Sequence, residues 1–160
     1  MSTAPVEGDL LRIELPTRRA TLALARRLAP LLAASDLVLL EGPLGAGKTF
    51  LARGLCRALG LAARVPVTSP TFTLIQEYDT VPKVAHADLY RLAAPDDVER
   101  LGLAALRDEG HLLLVEWGAP YVALLGGDAL TCRLAFDPRS AEISATGERS
   151  RGQLAALRAR

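Results

Sequence analysis

Hydrophobic and polar positions run along the chain in blocks that switch between strand and helix periods. Residues 10–15 form a short apolar-rich segment that reads as a strand. Pro16-Thr17 then opens a helix with Leu24, Leu28, Leu31 and Leu32 on one face and Arg18, Arg19, Arg26 and Arg27 off it. After Ser35-Asp36 comes Leu37-Val38-Leu39-Leu40, the uninterrupted apolar run of a strand buried on both faces. A glycine-rich loop separates it from a helix over 49–59, which Gly60 stops. Strands follow at 72–78 and 81–87, joined by a short turn, and a helical stretch opens at Pro95-Asp96-Asp97. Leu112-Leu113-Leu114-Val115 repeats the fully apolar strand pattern. Segments 129–136 and 141–145 read as a hairpin around Asp137-Pro138, and 153–160 as a short basic helix. Strands alternating with helices predict an α/β fold with a mostly parallel central sheet and antiparallel edge strands. The pattern contains no linker, repeat or low-complexity tract, so residues 1–160 are expected to form a single domain with a basic C-terminal tail over about 147–160.

Composition narrows the function classes. A chain of 160 residues, half of them hydrophobic, can bury one sizeable core and is far from a disordered composition. A net charge of +1 does not describe a polycation built to coat nucleic acid. No apolar stretch approaches the roughly 20 residues of a membrane span, and the longest uncharged one, 117–127, is broken by Pro120 and glycines. Glu7 and Asp9 replace the basic start of a secretory leader, so a cytoplasmic protein is expected. Cys56 and Cys132, with only His86 and His111 to help, read as buried free thiols of a reducing compartment rather than a zinc site.

The loop after the first apolar strand carries chemistry. Gly42-Pro43-Leu44-Gly45-Ala46-Gly47-Lys48-Thr49 matches G-x-x-x-x-G-K-[ST] between a buried-type strand and a helix. Glycines let the backbone curl so that successive amides point inward at phosphate oxygens, and the helix that follows aims its unpaired amides at the same anion. Lys48 is placed to reach the β- and γ-phosphates, and the Thr49 hydroxyl to coordinate magnesium. A chance match is about one in a thousand, so the motif predicts a P-loop NTPase-like three-layer fold that binds a nucleoside triphosphate.

The lysine count selects among such proteins. Of 19 basic residues 17 are arginine; the only lysines are Lys48 and Lys83. Guanine-specific switch proteins read the base with Asn-Lys-x-Asp. Lys83 lies in Val81-Pro82-Lys83-Val84, so adenine is expected. Thr68-Ser69-Pro70-Thr71-Phe72 offers a hydroxyl at Thr71 that can sense the γ-phosphate or position water, or simply turn the chain into a strand. His86-Ala87-Asp88-Leu89-Tyr90-Arg91 ends a strand where open α/β sheets put their ligands; Asp88 suits a magnesium shell, and Arg91 suits Asp88 or a phosphate. Glu116 closes the second apolar strand, where a carboxylate coordinates magnesium or activates water, and Trp117 follows as a ligand-stacking or core aromatic.

In order and spacing, Gly42 to Thr49, Ser69-Pro-Thr-Phe-Thr-Leu74, His86-Ala-Asp-Leu-Tyr-Arg-Leu92 and Val115-Glu-Trp117 resemble the bacterial TsaE (YjeE) family over about 15–117. The resemblance implies a small P-loop ATPase that assists synthesis of threonylcarbamoyladenosine in tRNA. It would work with TsaD and TsaB, TsaD performing the transfer, and would meet tRNA only through that complex. Carried over, Leu44, Gly45, Ala46, Gly47, Lys48, Thr49 and Phe50 would hold ATP. Thr49 and Glu116 would serve Mg2+, and Lys48, Thr71, Asp88 and Glu116 would form the hydrolysis and switch machinery. Thr17 and Arg18 would lie near adenine. The chain departs from the family at Gly118-Ala119-Pro120, which lacks the acidic residue often found after the tryptophan, and its last 40 or so residues carry no family motif. The alternative reading is a small P-loop kinase acting on a small molecule, and a third is a nucleotide sensor that does not hydrolyse.

Overall fold

A computed structural model describes residues 9–160; Glu7 lies outside them. Seven strands make one sheet in the order β1-β7-β6-β2-β5-β4-β3. They are β1 (Leu10–Glu14), β2 (Leu37–Glu41), β3 (Ile75–Tyr78), β4 (Val84–Asp88), β5 (Leu112–Glu116), β6 (Leu130–Phe136) and β7 (Arg139–Ala145). The central strands β6, β2, β5 and β4 are parallel, whereas β3 and β7 run antiparallel to their neighbours. The α/β class and the mostly parallel centre with antiparallel strands toward the edges are therefore as the pattern predicts.

Alternation within β2 and β5 builds the layers. Val38, Leu40, Leu112 and Leu114 face a core shared with α1 (Arg18–Leu28), α2 (Lys48–Ala58) and α5 (Glu148–Arg158). Leu37, Leu39, Leu113 and Val115 face the opposite core, shared with α3 (Pro95–Arg100), α4 (Leu103–Asp108) and the 3-10 segment Ala119–Leu125. Every residue of β2, β4 and β5 is buried, which explains why the apolar runs of β2 and β5 show no polar alternation. Cys56 and Cys132 sit in the first core as free thiols, and burial pushes both up to about 12. Among the described residues no helix is long and apolar enough to cross a membrane.

Several boundaries differ from the sequence pattern. The α1 helix stops at Leu28, and Ala29–Leu31 tightens into a 3-10 turn around Pro30. Strand β3 begins at Ile75 rather than Phe72, because 71–73 form a turn closed by Leu74 N–H on the Pro70 carbonyl. Strand β4 covers 84–88 rather than 81–87. The single helical stretch after Pro95 is two helices, divided at Gly102, whose φ of 77° a side chain would strain.

The basic tail is a packed helix, not a solvated end. The α5 helix starts at Glu148, five residues earlier than the pattern suggests, and buries Ser150, Gln153, Leu154 and Leu157. Asp36 anchors it, accepting from Gln153 Nε2 at 2.7 Å and pairing with Arg149 at 3.0 Å. Asp128 reaches across to its first turn, taking the N–H groups of Arg149 (2.9 Å) and Ser150 (3.0 Å). Burial opposes ionisation of Asp128, but the hydrogen bonds from Ser150 and Arg149 prevail and hold its carboxyl below the usual range. Such a depressed carboxyl contributes stability that is fully present above its unfolded-state value, about pH 4, and is lost as pH falls through the lower folded value. Asp128→Ala is therefore expected to lower unfolding free energy by about 1 kcal/mol at neutral pH. In denaturant titrations the gap between parent and variant should close on acidification; a gap that stays constant would contradict this capping role.

Candidate functional site

The site forms where the carboxyl ends of β2, β4 and β5 come together, the usual ligand position in an open α/β sheet. Between β2 and α2 the loop 42–47 curls back, with φ of 131°, 78° and 104° at Gly42, Gly45 and Gly47. Gly42 has a second reason to be glycine: a Cβ there would meet the Leu134 carbonyl oxygen of β6 at 2.4 Å. Lys48 opens α2, so the unpaired amides of its first turn add to those of the loop. The Lys48 ammonium folds over the loop, donating to the carbonyls of Gly42 (2.7 Å) and Pro43 (2.9 Å), and lies 4.5 Å from the centre of the Trp117 ring. Burial pulls its pKa down, against the pull of Glu116, Asp88 and Glu41.

Two strand-end carboxylates stand side by side, since Asp88 and Glu116 are register partners across β4 and β5. Thr49 Oγ1 donates to the Glu116 carboxylate, at 3.2 and 3.3 Å from its two oxygens, and His86 Nε2 meets Glu116 Oε2 at 2.8 Å. His86 is fully buried and its Nδ1 has no hydrogen-bond partner, so the tautomer with its proton on Nε2 fits. Asp88 Oδ2 accepts from Thr71 Oγ1 (2.8 Å) and Ser69 Oγ (3.2 Å), and Oδ1 from the Tyr90 N–H (2.9 Å). Arg91 does not pair with Asp88; its guanidinium lies 4.3 Å from the centre of the exposed Phe72 ring.

The structure thus brings Lys48, Thr49, Thr71, Asp88 and Glu116 to one cleft, together with Leu44, Gly45, Gly47 and Phe50. Inward amides and an ammonium suit phosphate oxygens, while the Thr49 hydroxyl and Glu116 carboxylate are hard oxygen donors suited to a divalent cation. Against Gly45-Ala46-Gly47 a second, smaller groove is lined by Arg18, Phe50, Ala135 and Arg139. Thr17 stands outside this groove; it caps α1, its hydroxyl accepting the Ala20 N–H at 3.1 Å. Sequence reasoning missed the groove wall from β6 and β7, because Ala135 and Arg139 belong to no motif and reach the loop only through the non-local β2–β6 pairing. It also left His86 without a task. Its place one turn of the pleat before Asp88, on a strand neighbouring Glu116, was the available signal.

A family model described as threonylcarbamoyl adenosine biosynthesis protein TsaE matches residues 15–143. The chain belongs to the TsaE family. The match includes the phosphate loop, Thr71, Asp88, Glu116 and most of the β6–β7 hairpin, and stops short of α5. The tRNA threonylcarbamoyladenosine biosynthesis protein TsaE of Streptomyces coelicolor is 42% identical over 138 residues, 79% of this chain and 90% of its own. The protein of the same name from Aquifex aeolicus is 41% identical over 109 residues, covering 68% and 77%. Among solved structures, Bacillus subtilis YdiB superposes with a TM-score of 0.71 at 28% identity, over 94% of this TsaE chain and 95% of that one.

Proposed function

We propose that this TsaE protein is a cytoplasmic, magnesium-dependent ATPase that assists tRNA threonylcarbamoyladenosine synthesis as an accessory subunit to TsaD and TsaB, leaving the transfer to TsaD. The observation that carries the ATPase reading is the junction of Thr49 and Glu116 at 3.2 Å, in one cleft with the glycine-rich loop over which the Lys48 ammonium folds. Loop amides and Lys48 hold the triphosphate, and the groove by Arg18 and Phe50 takes the base. Thr49 and Glu116 would hold a magnesium ion, which would supply charge neutralisation at the phosphates. Asp88 and Thr71 act as a switch. While Thr71 donates to Asp88, both carboxylate oxygens are engaged. Turning the Thr71 hydroxyl to the γ-phosphate removes the shorter of the two hydrogen bonds on Oδ2, leaving Ser69 at 3.2 Å and acceptor capacity to orient the attacking water.

Partner dependence is supported by the rim. Leu44, Phe72, Tyr90 and Phe136 are exposed large hydrophobics set around the loop and cleft, an arrangement that suits a protein partner over the nucleotide. Turnover by the isolated protein should be slow and should rise with TsaD and TsaB. Both partners should be retained on the tagged chain in the presence of ATP, and modified tRNA should require it. Phe72→Ser is expected to keep ATP affinity and to lose at least about tenfold of the partner stimulation. Equal turnover with and without partners would refute the accessory role, and phosphate transfer to an added alcohol would favour a kinase.

A further inference from the structure

Glu41 ends β2 immediately ahead of Gly42 and takes no part in the chemistry described above. It is 6% exposed, and burial raises its carboxyl above the usual range. A carboxylate kept there against its desolvation cost needs a partner. Its hydrogen-bond partners are backbone amides of the turn after β5, chiefly the Ala119 N–H, 2.8 Å from Oε1, with the Gly118 N–H beside it and the Arg133 and Lys48 charges nearby. Only Trp117 and Gly118 separate Ala119 from Glu116.

Those two residues have little freedom. Trp117 is left-handed, with φ of 60°, which is costly for a bulky side chain unless its surroundings impose it. Its own N–H reaches the Leu40 carbonyl at 3.3 Å. Gly118 is packed so closely that a Cβ would lie 2.8 Å from both Leu39 Cδ2 and Val115 Cγ1. Two consecutive residues of β2 therefore hold the turn from either end, Leu40 at Trp117 and Glu41 at Ala119. The indole is thereby set 4.5 Å from the Lys48 ammonium and 4.9 Å from the Tyr90 ring.

We infer that Glu41 is a positioning residue: by holding the Ala119 amide it keeps Trp117 in its left-handed turn against Lys48 and Tyr90, and keeps Glu116 in place across from Thr49. The kinetic part of this inference rests on the ATPase reading; the spectroscopic part does not. Trp117 is the only tryptophan, so intrinsic fluorescence reads its surroundings directly. Folded Glu41→Ala is expected to show altered Trp117 emission with stronger acrylamide quenching. Its kcat should fall about tenfold with KM for ATP within about threefold, the signature of lost alignment rather than lost binding. Glu41→Gln, which keeps the acceptor oxygen, is expected to restore both. Parent-like emission in Glu41→Ala overturns the inference, as does a Glu41→Gln variant as impaired as Glu41→Ala. A parent protein that does not hydrolyse ATP refutes the ATPase reading instead, and the fluorescence comparison still decides the role of Glu41.

Discussion

Glu116→Ala is expected to leave ATP binding within a few-fold of the parent and to cut turnover about a thousandfold, a barrier increase of about 4 kcal/mol. On the proposed reading the loop amides and Lys48 grip the triphosphate, and the Lys48 ammonium is hydrogen-bonded to the Gly42 and Pro43 carbonyls rather than to Glu116. Its contacts are Thr49 on the cation side and His86 behind it, so its loss removes cation placement and charge while sparing the cradle. Alanine also strips His86 of its buried acceptor, costing about 1–3 kcal/mol of stability. Glu116→Gln separates the two effects: an amide keeps the volume and an acceptor for His86 but loses the charge. Calorimetric ATP binding and single-turnover hydrolysis on both variants check this. Parent-like turnover would remove Glu116 from the chemistry, and abolished binding would make it a nucleotide-gripping residue.

The parts of the fold legible in the sequence are those set by local period. Four consecutive apolar residues at Leu37 and again at Leu112, each run short and bounded by polar or turn residues, read as strands covered on both faces, and both are central. The phosphate loop was legible for the same reason, since its function requires consecutive backbone amides and therefore consecutive residues. Asp88 and Glu116 were legible because each closes a strand and parallel pairing puts strand ends together. What stayed hidden depends on contacts between segments far apart in the chain. Nothing near Arg139 says that β6 will lie parallel to β2 and bring Ala135 and Arg139 to the groove beside Gly45 and Gly47. The early start of α5 depends on Asp128, 20 residues upstream of Glu148, accepting its first amides. The Glu41 tether likewise joins residues 78 positions apart.

Lys48→Ala is expected to abolish ATP-dependent function while leaving the nucleotide-free protein folded. The ammonium is buried, with its pKa pulled down by desolvation, so the cost of burying it disappears together with its bonds to Gly42 and Pro43. The nucleotide-free melting temperature should therefore move by no more than about 3 °C. Binding is another matter. Charge-assisted hydrogen bonds are worth about 1.5–3 kcal/mol each, so losing two to the phosphates predicts an affinity loss of a hundredfold or more. No other lysine replaces it. Lys83 precedes β4 at the end opposite Asp88, and five residues at ~3.3 Å each put it about 17 Å from the site. Arginine is no substitute either, because a planar guanidinium does not fit a pocket in which two carbonyls at 2.7 and 2.9 Å and an indole face already enclose a compact ammonium. Thermal melts with and without Mg-ATP test this directly. The parent should gain stability as ligand saturates it, about 2.7 kcal/mol at a hundred times Kd. Lys48→Ala and Lys48→Arg should gain no more than about 0.4 kcal/mol at the same concentration, and an undiminished ATP-induced shift in either would show that the lysine is not what holds the phosphates.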